Sequence, residues 1–85
     1  MEIKYQDLKV CDRATFIKFV ENLRSDLRDD GSSWENNTLD NFLEALSRYT
    51  EDIQGYYDYT EQKINADQPS WQLFADILKG ATIYE

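Results

Sequence analysis

Apolar residues recur at helical spacing in three stretches of the chain. Phe16, Val20, Leu23 and Leu27, with Ile17 beside them, follow the i, i+4, i+7, i+11 stripe of a core-facing helix, and Asp12 stands where an N-cap belongs. Phe19 lies off that stripe and marks a second contact face. Asp29-Asp30-Gly31 closes the segment, with Gly31 suited to the left-handed position that follows a helix. Leu39, Phe42, Leu43, Leu46, Tyr49 and Ile53 repeat the template until Gly55, which reads as a stop. The start of this second helix has two readings. Ser32-Ser33-Trp34-Glu35 resembles a capping box, but Asn36 and Asn37 are poor interior helix residues, so Thr38 is the favoured N-cap and Trp34 folds back on the core. Asp67-Gln68-Pro69-Ser70 opens a third helix, with Pro69 in its first turn or just before it. Its inner face is Trp71, Phe74, Ala75 and Leu78, flanked by Ile77, and Gly80 takes the position after its end.

The pattern therefore predicts helices over about 12–29, 38–54 and 69–79. Between Gln54 and Gln68 it dissolves into polar residues and tyrosines, which fits either a short helical turn around Tyr56–Thr60 or a packed surface loop. Ile3, Tyr5, Leu8 and Val10 match neither period, so the first ten residues form a short extended or helical lead-in. Residues 81–85 are a short strand or a last turn of helix. The expected fold is all-α, a small bundle of three main helices plus a short helical turn or lead-in. The alternative is α+β, with Ile3–Tyr5 and Thr82–Tyr84 paired as two short strands.

Composition narrows the chemistry. Eighty-five residues make one domain, 1–85, with a thin core, and 41% hydrophobic with 14% aromatic content is too rich for a disordered tail. There is no histidine and a single cysteine, Cys11, which removes a Cys/His zinc site, a histidine-based catalytic dyad and any internal disulfide. Cys11 reads as a small buried thiol. Asp29-Asp30-Gly31 lacks the ligand spacing of a calcium loop, and no other cofactor motif is present. The expected protein is not an enzyme and has no cofactor. Its start has no signal-peptide character and no stretch approaches the length of a membrane span, so a cytoplasmic location is expected.

Charge sharpens the picture. The net charge of −8 argues against nucleic acid and anionic membranes as partners. It is also uneven: residues 1–28 carry +1 and residues 29–85 carry −9. Asp40, Glu44, Ser47, Arg48 and Glu51 share the outward face of the second helix, where Glu44 and Arg48 form an i,i+4 pair. Tyr56, Tyr57 and Tyr59 follow, flanked by Asp52, Asp58 and Glu61. Tyrosine offers large contact area at low entropic cost, so carboxylates beside it suit a basic protein partner. The candidate partner-binding residues are Asp40, Glu44, Glu51, Asp52, Tyr56, Tyr57 and Asp58. The plainer reading makes the carboxylates a solvated helix face and the tyrosines a pin for the loop, Tyr59 above all. A third class of function is self-association through an exposed patch at Phe19, Trp34 or Tyr84.

Trp34-Glu35-Asn36-Asn37-Thr38-Leu39, Phe42-Leu43-Glu44-Ala45, Gly55-Tyr56-Tyr57 and Pro69-Ser70-Trp71 with Phe74-Ala75-Asp76 resemble an uncharacterised family of small acidic bacterial proteins. That resemblance spans roughly residues 12–85 and implies no biochemical function. Length, acidity, helix order and the opening Met1-Glu2-Ile3-Lys4 are also similar to the immunity proteins of colicin-type nucleases. Those are four-helix domains whose short third helix holds Asp, Ile and paired Tyr against the nuclease. The matching positions are Asp52, Ile53, Tyr56 and Tyr57, although Gln54-Gly55 separates Ile53 from the tyrosines and Asp58 replaces that family's proline. Barstar-type nuclease inhibitors share only acidity and size. The resemblance implies an inhibitor of a basic toxin or nuclease.

Overall fold

The computed structural model describes residues 9–84, which form three helices: α1 (Arg13–Asp30), α2 (Leu39–Tyr59) and α3 (Trp71–Ala81). The all-α expectation holds. Among the described residues there is no strand: Thr82–Tyr84 leave α3 through a turn, and Ile3–Tyr5 lie outside the described residues.

Local chemistry sets each helix start. Asp12 Oδ1 accepts from the Thr15 amide at 2.8 Å while Thr15 Oγ1 accepts from the Asp12 amide at 3.1 Å, a reciprocal capping box. Thr38 caps α2 through the Asn41 amide, and Ser70 caps α3 through the Leu73 amide. Pro69 thus precedes the cap, where its missing N–H leaves no helical bond unmade.

The helix ends differ from the sequence expectation at all three glycines. Gly31 has φ −61° and opens a 3-10 turn over Gly31–Ser33 instead of a left-handed stop. Gly55 does not end α2, which runs on to Tyr59, so of the two readings for the tyrosine segment the helical one holds, as a continuation of α2 and not as a separate turn. The stripe Phe42, Leu46, Tyr49, Ile53 continues to Tyr57, and burying that ring outweighs the ~1 kcal/mol helix penalty of glycine. The actual stop is Glu61, whose φ of 60° places it in the left-handed region. The Gln62 amide donates to Tyr57 O at 2.8 Å and the Glu61 amide to Asp58 O at 3.2 Å, completing a Schellman motif without glycine. Gly80 lies inside α3 because the Tyr49 ring packs on it; a Cβ there would collide with that ring.

α3 packs against both α1 and α2 and divides the interior into two clusters. On one side Ala75 and Leu78 meet Val10, Phe16, Phe19, Leu23, Trp34 and Phe42. On the other, Leu73 and Ile77 meet Tyr49, Ile53, Tyr57, Ile64 and Ala66. Trp34 does fold back on the core, stacked on Phe42 at 6.0 Å, and its Nε1 donates to Asp26 Oδ2 at 2.7 Å. Asn36 ties this joint to the end of α3, its Nδ2 donating to Ala81 O and Tyr84 O and its amide to Thr82 O.

Burial corrects several side-chain assignments. Phe19 is core, whereas Ile17, Val20 and Leu27 are exposed. Leu39, Leu43 and Phe74 are exposed too, and Trp71 is only partly covered, against Phe16 at 5.3 Å. Cys11, expected to be buried, is exposed. With Phe19 and Trp34 buried and Tyr84 half-buried, those three residues do not form the apolar patch envisaged for self-association.

Candidate functional site

The seven candidate residues all fall on α2, and its helical geometry sorts them into three groups. At about 100° per residue, Asp40, Glu44, Glu51 and Asp58 lie within roughly 40° of one another, opposite the buried Ile53. All four are exposed. They form a ladder roughly 27 Å long by the 1.5 Å helical rise. Arg48 touches it, 3.9 Å from Glu44 across two exposed side chains, a pair that contributes at most a few tenths of a kcal/mol.

Asp52 and Tyr56 sit on a flank about 100° or more away from that ladder. Tyr84, on the tail after α3, donates its phenol proton to Asp52. This bond is the main reason why the Tyr84 phenol titrates above its ordinary value. Tyr49 stacks obliquely on Tyr84 at 5.0 Å, and burial pushes the Tyr49 phenol up. The Tyr56 ring is half exposed.

Tyr57 belongs to neither surface. It is wholly buried, so the partner-binding role expected for it gives way to a core role. Its hydroxyl donates to Asp76 Oδ2 at 2.7 Å; Gln72 Nε2 donates to Asp76 Oδ1 at 2.8 Å, and Gln72 Oε1 accepts from the Val10 amide at 3.1 Å. Burial, then this bond to Asp76, holds the Tyr57 phenol far above the usual tyrosine range. The chain of bonds joins α2, α3 and the segment before α1. Tyr59, expected to pin a loop, is instead 87% exposed and stands beside Tyr56 on the flank. Helical phase would have found both assignments once α2 was carried through Gly55.

A recess of about 890 Å³, open to solvent, lies between the end of α2 and residues 61–65. Gln54 spans its base, donating to Asp58 Oδ1 and Ile64 O and accepting from the Ala66 amide. Asp58, Glu61 and Lys63 line it. Gln54 here serves to hold the 60–66 segment on α2. Among the described residues no group of three or more Cys, Asp or Glu is gathered as for a metal ion, and no helix is long and apolar enough to cross a membrane.

No curated protein and no solved structure shows significant similarity to the chain. A family model, in contrast, matches residues 12–85 and so covers all three helices together with the acidic ladder and the tyrosine flank. This chain belongs to that family, DUF7660, a family of unknown function.

Proposed function

We propose that the chain is a non-enzymatic protein-interaction domain whose helix α2 docks a basic partner protein. The observation that carries this reading is the ladder Asp40, Glu44, Glu51 and Asp58, four exposed carboxylates on one face of a 21-residue helix with a single arginine beside them. Such a row draws a cationic surface in from beyond contact distance and speeds association more than it tightens it. Tyr56 and Tyr59, exposed on the adjoining flank, supply aromatic area for the close contact.

The sharper form of the same reading is an inhibitor or immunity-like protein that covers the basic active site of a toxin or nuclease. Of the four positions matched to immunity proteins, Asp52 and Tyr56 are exposed and support it, whereas Ile53 and Tyr57 are buried in the core. A cytoplasmic site of action goes with this reading. The exposed thiol of Cys11 would cross-link chains in an oxidising compartment and stays free in a reducing one.

The test is capture from the source cell on immobilised chain at low and at physiological salt, beside a variant with Asp40→Asn, Glu44→Gln, Glu51→Gln and Asp58→Asn. A basic protein retained at low salt, released as salt rises and lost with the variant is the expected result. Equal retention by the two chains refutes the reading. Tyr56→Ala with Tyr59→Ala should then speed dissociation with little effect on association.

A further inference from the structure

We infer, building on the basic-partner reading above, that the partner lays an α-helix along the outer face of α2, with arginines or lysines recurring every seven residues. Glu44, Glu51 and Asp58 are seven residues apart, which spaces them by about 10.5 Å along the axis. Asp40, Ser47 and Gln54 form the alternate column, each four residues before one of them. The face is therefore a heptad seam made of polar residues. Such a seam drifts by about 20° per seven residues around a straight helix. A second helix crossing at about 20° stays over the drifting line, so its positions i, i+7 and i+14 meet all three carboxylates. An extended strand, repeating on one face every ~6.8 Å, would meet Glu44 and Asp58 but miss Glu51 by about 3 Å. Charge complementarity along the whole line thus selects a helix.

Gly55 marks the point of closest approach. It lies inside α2, its φ is not positive, and a Cβ there would meet nothing within 4 Å. Gly80, in contrast, answers to the Tyr49 ring that packs on it. Neither backbone conformation nor packing within the chain calls for glycine at position 55, where it weakens an exposed stretch of helix. Its helical neighbours at three and four residues are Glu51, Asp52, Asp58 and Tyr59, all exposed. Bare backbone ringed by three carboxylates and a tyrosine seats the stem of a long cationic side chain, whose head then reaches Glu51 or Asp58. Gln54 occupies only Oδ1 of Asp58. Arg48, the one cation of α2, stands farther back, against Glu44.

Three synthetic peptides of about 20 residues, built on alanine and glutamine with three arginines each, test this at about 20 mM salt. The first is helical with arginine at i, i+7 and i+14. The second is the same helix with arginine at i, i+5 and i+10, spread around its circumference. The third keeps the first spacing but is broken by prolines. Amide shifts of the isotope-labelled full chain give each affinity. The first peptide should bind about tenfold tighter than the other two, because only it pairs all three arginines at once. Gly55→Gln leaves the net charge unchanged and should raise the urea midpoint, yet weaken the first peptide by about threefold or more. Equal binding of all three peptides, lost when the ladder is neutralised, keeps the basic-partner reading and overturns the helix. Tightest binding of the proline-broken peptide overturns it too, and assigns an extended partner. Gly55→Gln that binds like wild type also overturns it. Binding of none of the three overturns it as well, while the capture experiment decides the basic-partner reading separately.

Discussion

Tyr57 separates a core reading of the tyrosine segment from a surface one. Truncation to alanine removes the bulkiest of the fully buried side chains. Aromatic truncations of that kind cost about 3–5 kcal/mol. A domain of 85 residues has roughly 4–13 kcal/mol in all, so Tyr57→Ala should leave a barely folded chain. Tyr57→Phe keeps the ring and loses the donation to Asp76 at 2.7 Å. Hydrogen bonds to charged acceptors contribute about 1.5–3 kcal/mol, and Asp76, half-buried and still bonded to Gln72, regains water, which puts the loss near the lower end. Tyr56→Ala, at a half-exposed ring, should cost less than about 1 kcal/mol.

Urea titrations followed by far-ultraviolet circular dichroism give the three values directly. The alkaline limb adds an independent readout. Folding favours the neutral phenol of Tyr57, whose ordinary pKa is 10.0. Its contribution is therefore complete below pH 10.0, where the unfolded tyrosine is neutral as well, and is lost as pH climbs towards the higher folded value. Wild type should lose stability above that pH faster than Tyr57→Phe, which has no proton to lose there. Tyr57→Ala within about 0.5 kcal/mol of Tyr56→Ala, or parallel alkaline limbs for wild type and Tyr57→Phe, would refute a buried, hydrogen-bonded Tyr57.

Two substitutions test the end of α2. Gly55→Ala should stabilise by about 0.5–1 kcal/mol, because the position is exposed, helical and has nothing within 4 Å of a Cβ; an unchanged or lower urea midpoint would contradict the continuous helix. Glu61→Gly should also stabilise, by up to about 1 kcal/mol, since glycine holds the left-handed position without the Cβ conflict; a loss would speak against the Schellman ending. Gly80→Ala should go the other way, destabilising by about 1–3 kcal/mol through the Tyr49 ring, and Tyr49→Ala in the same chain should relieve part of that loss. In a domain this small, each kcal/mol shifts the thermal midpoint by roughly 4–8 °C, so all three effects are measurable by melting.

Helix starts were legible because capping is a local event. Asp12, Thr38 and Ser70 each find their amide partner three residues on, within reach of sequence alone. Helix ends were less so, since they depend on what the last turn buries. Gly55 is a stop by propensity, and only the tertiary position of Tyr57 against Leu73 and Ile77 makes the helix continue past it. The left-handed residue that ends α2 is a glutamate, which carries no turn signal. Hence Asp40, Glu44 and Glu51, which precede Gly55, share one exposed face as their spacing implies. The tyrosines, one helical turn later, exchanged roles, with Tyr57 inward and Tyr59 outward.

The remaining misassignments share one cause. Ile17, Val20, Leu27, Leu39, Leu43, Trp71 and Phe74 carry core periodicity yet are exposed, because helical periodicity reports an apolar stripe without saying what covers it. A stripe of ordinary width fits against one neighbour. On α1 and α2 the stripe is wider than the strip that α3 occupies, so Ile17, Val20 and Leu27 on one helix and Leu39 and Leu43 on the other stay exposed. Phe74 shows the same on α3: it stands between the Leu73–Ile77 face turned to α2 and the Ala75–Leu78 face turned to α1. Single exposed apolar residues are ordinary on any protein, so the periodicity of a helix names its apolar stripe, and only the packing of its neighbours decides how much of that stripe becomes core.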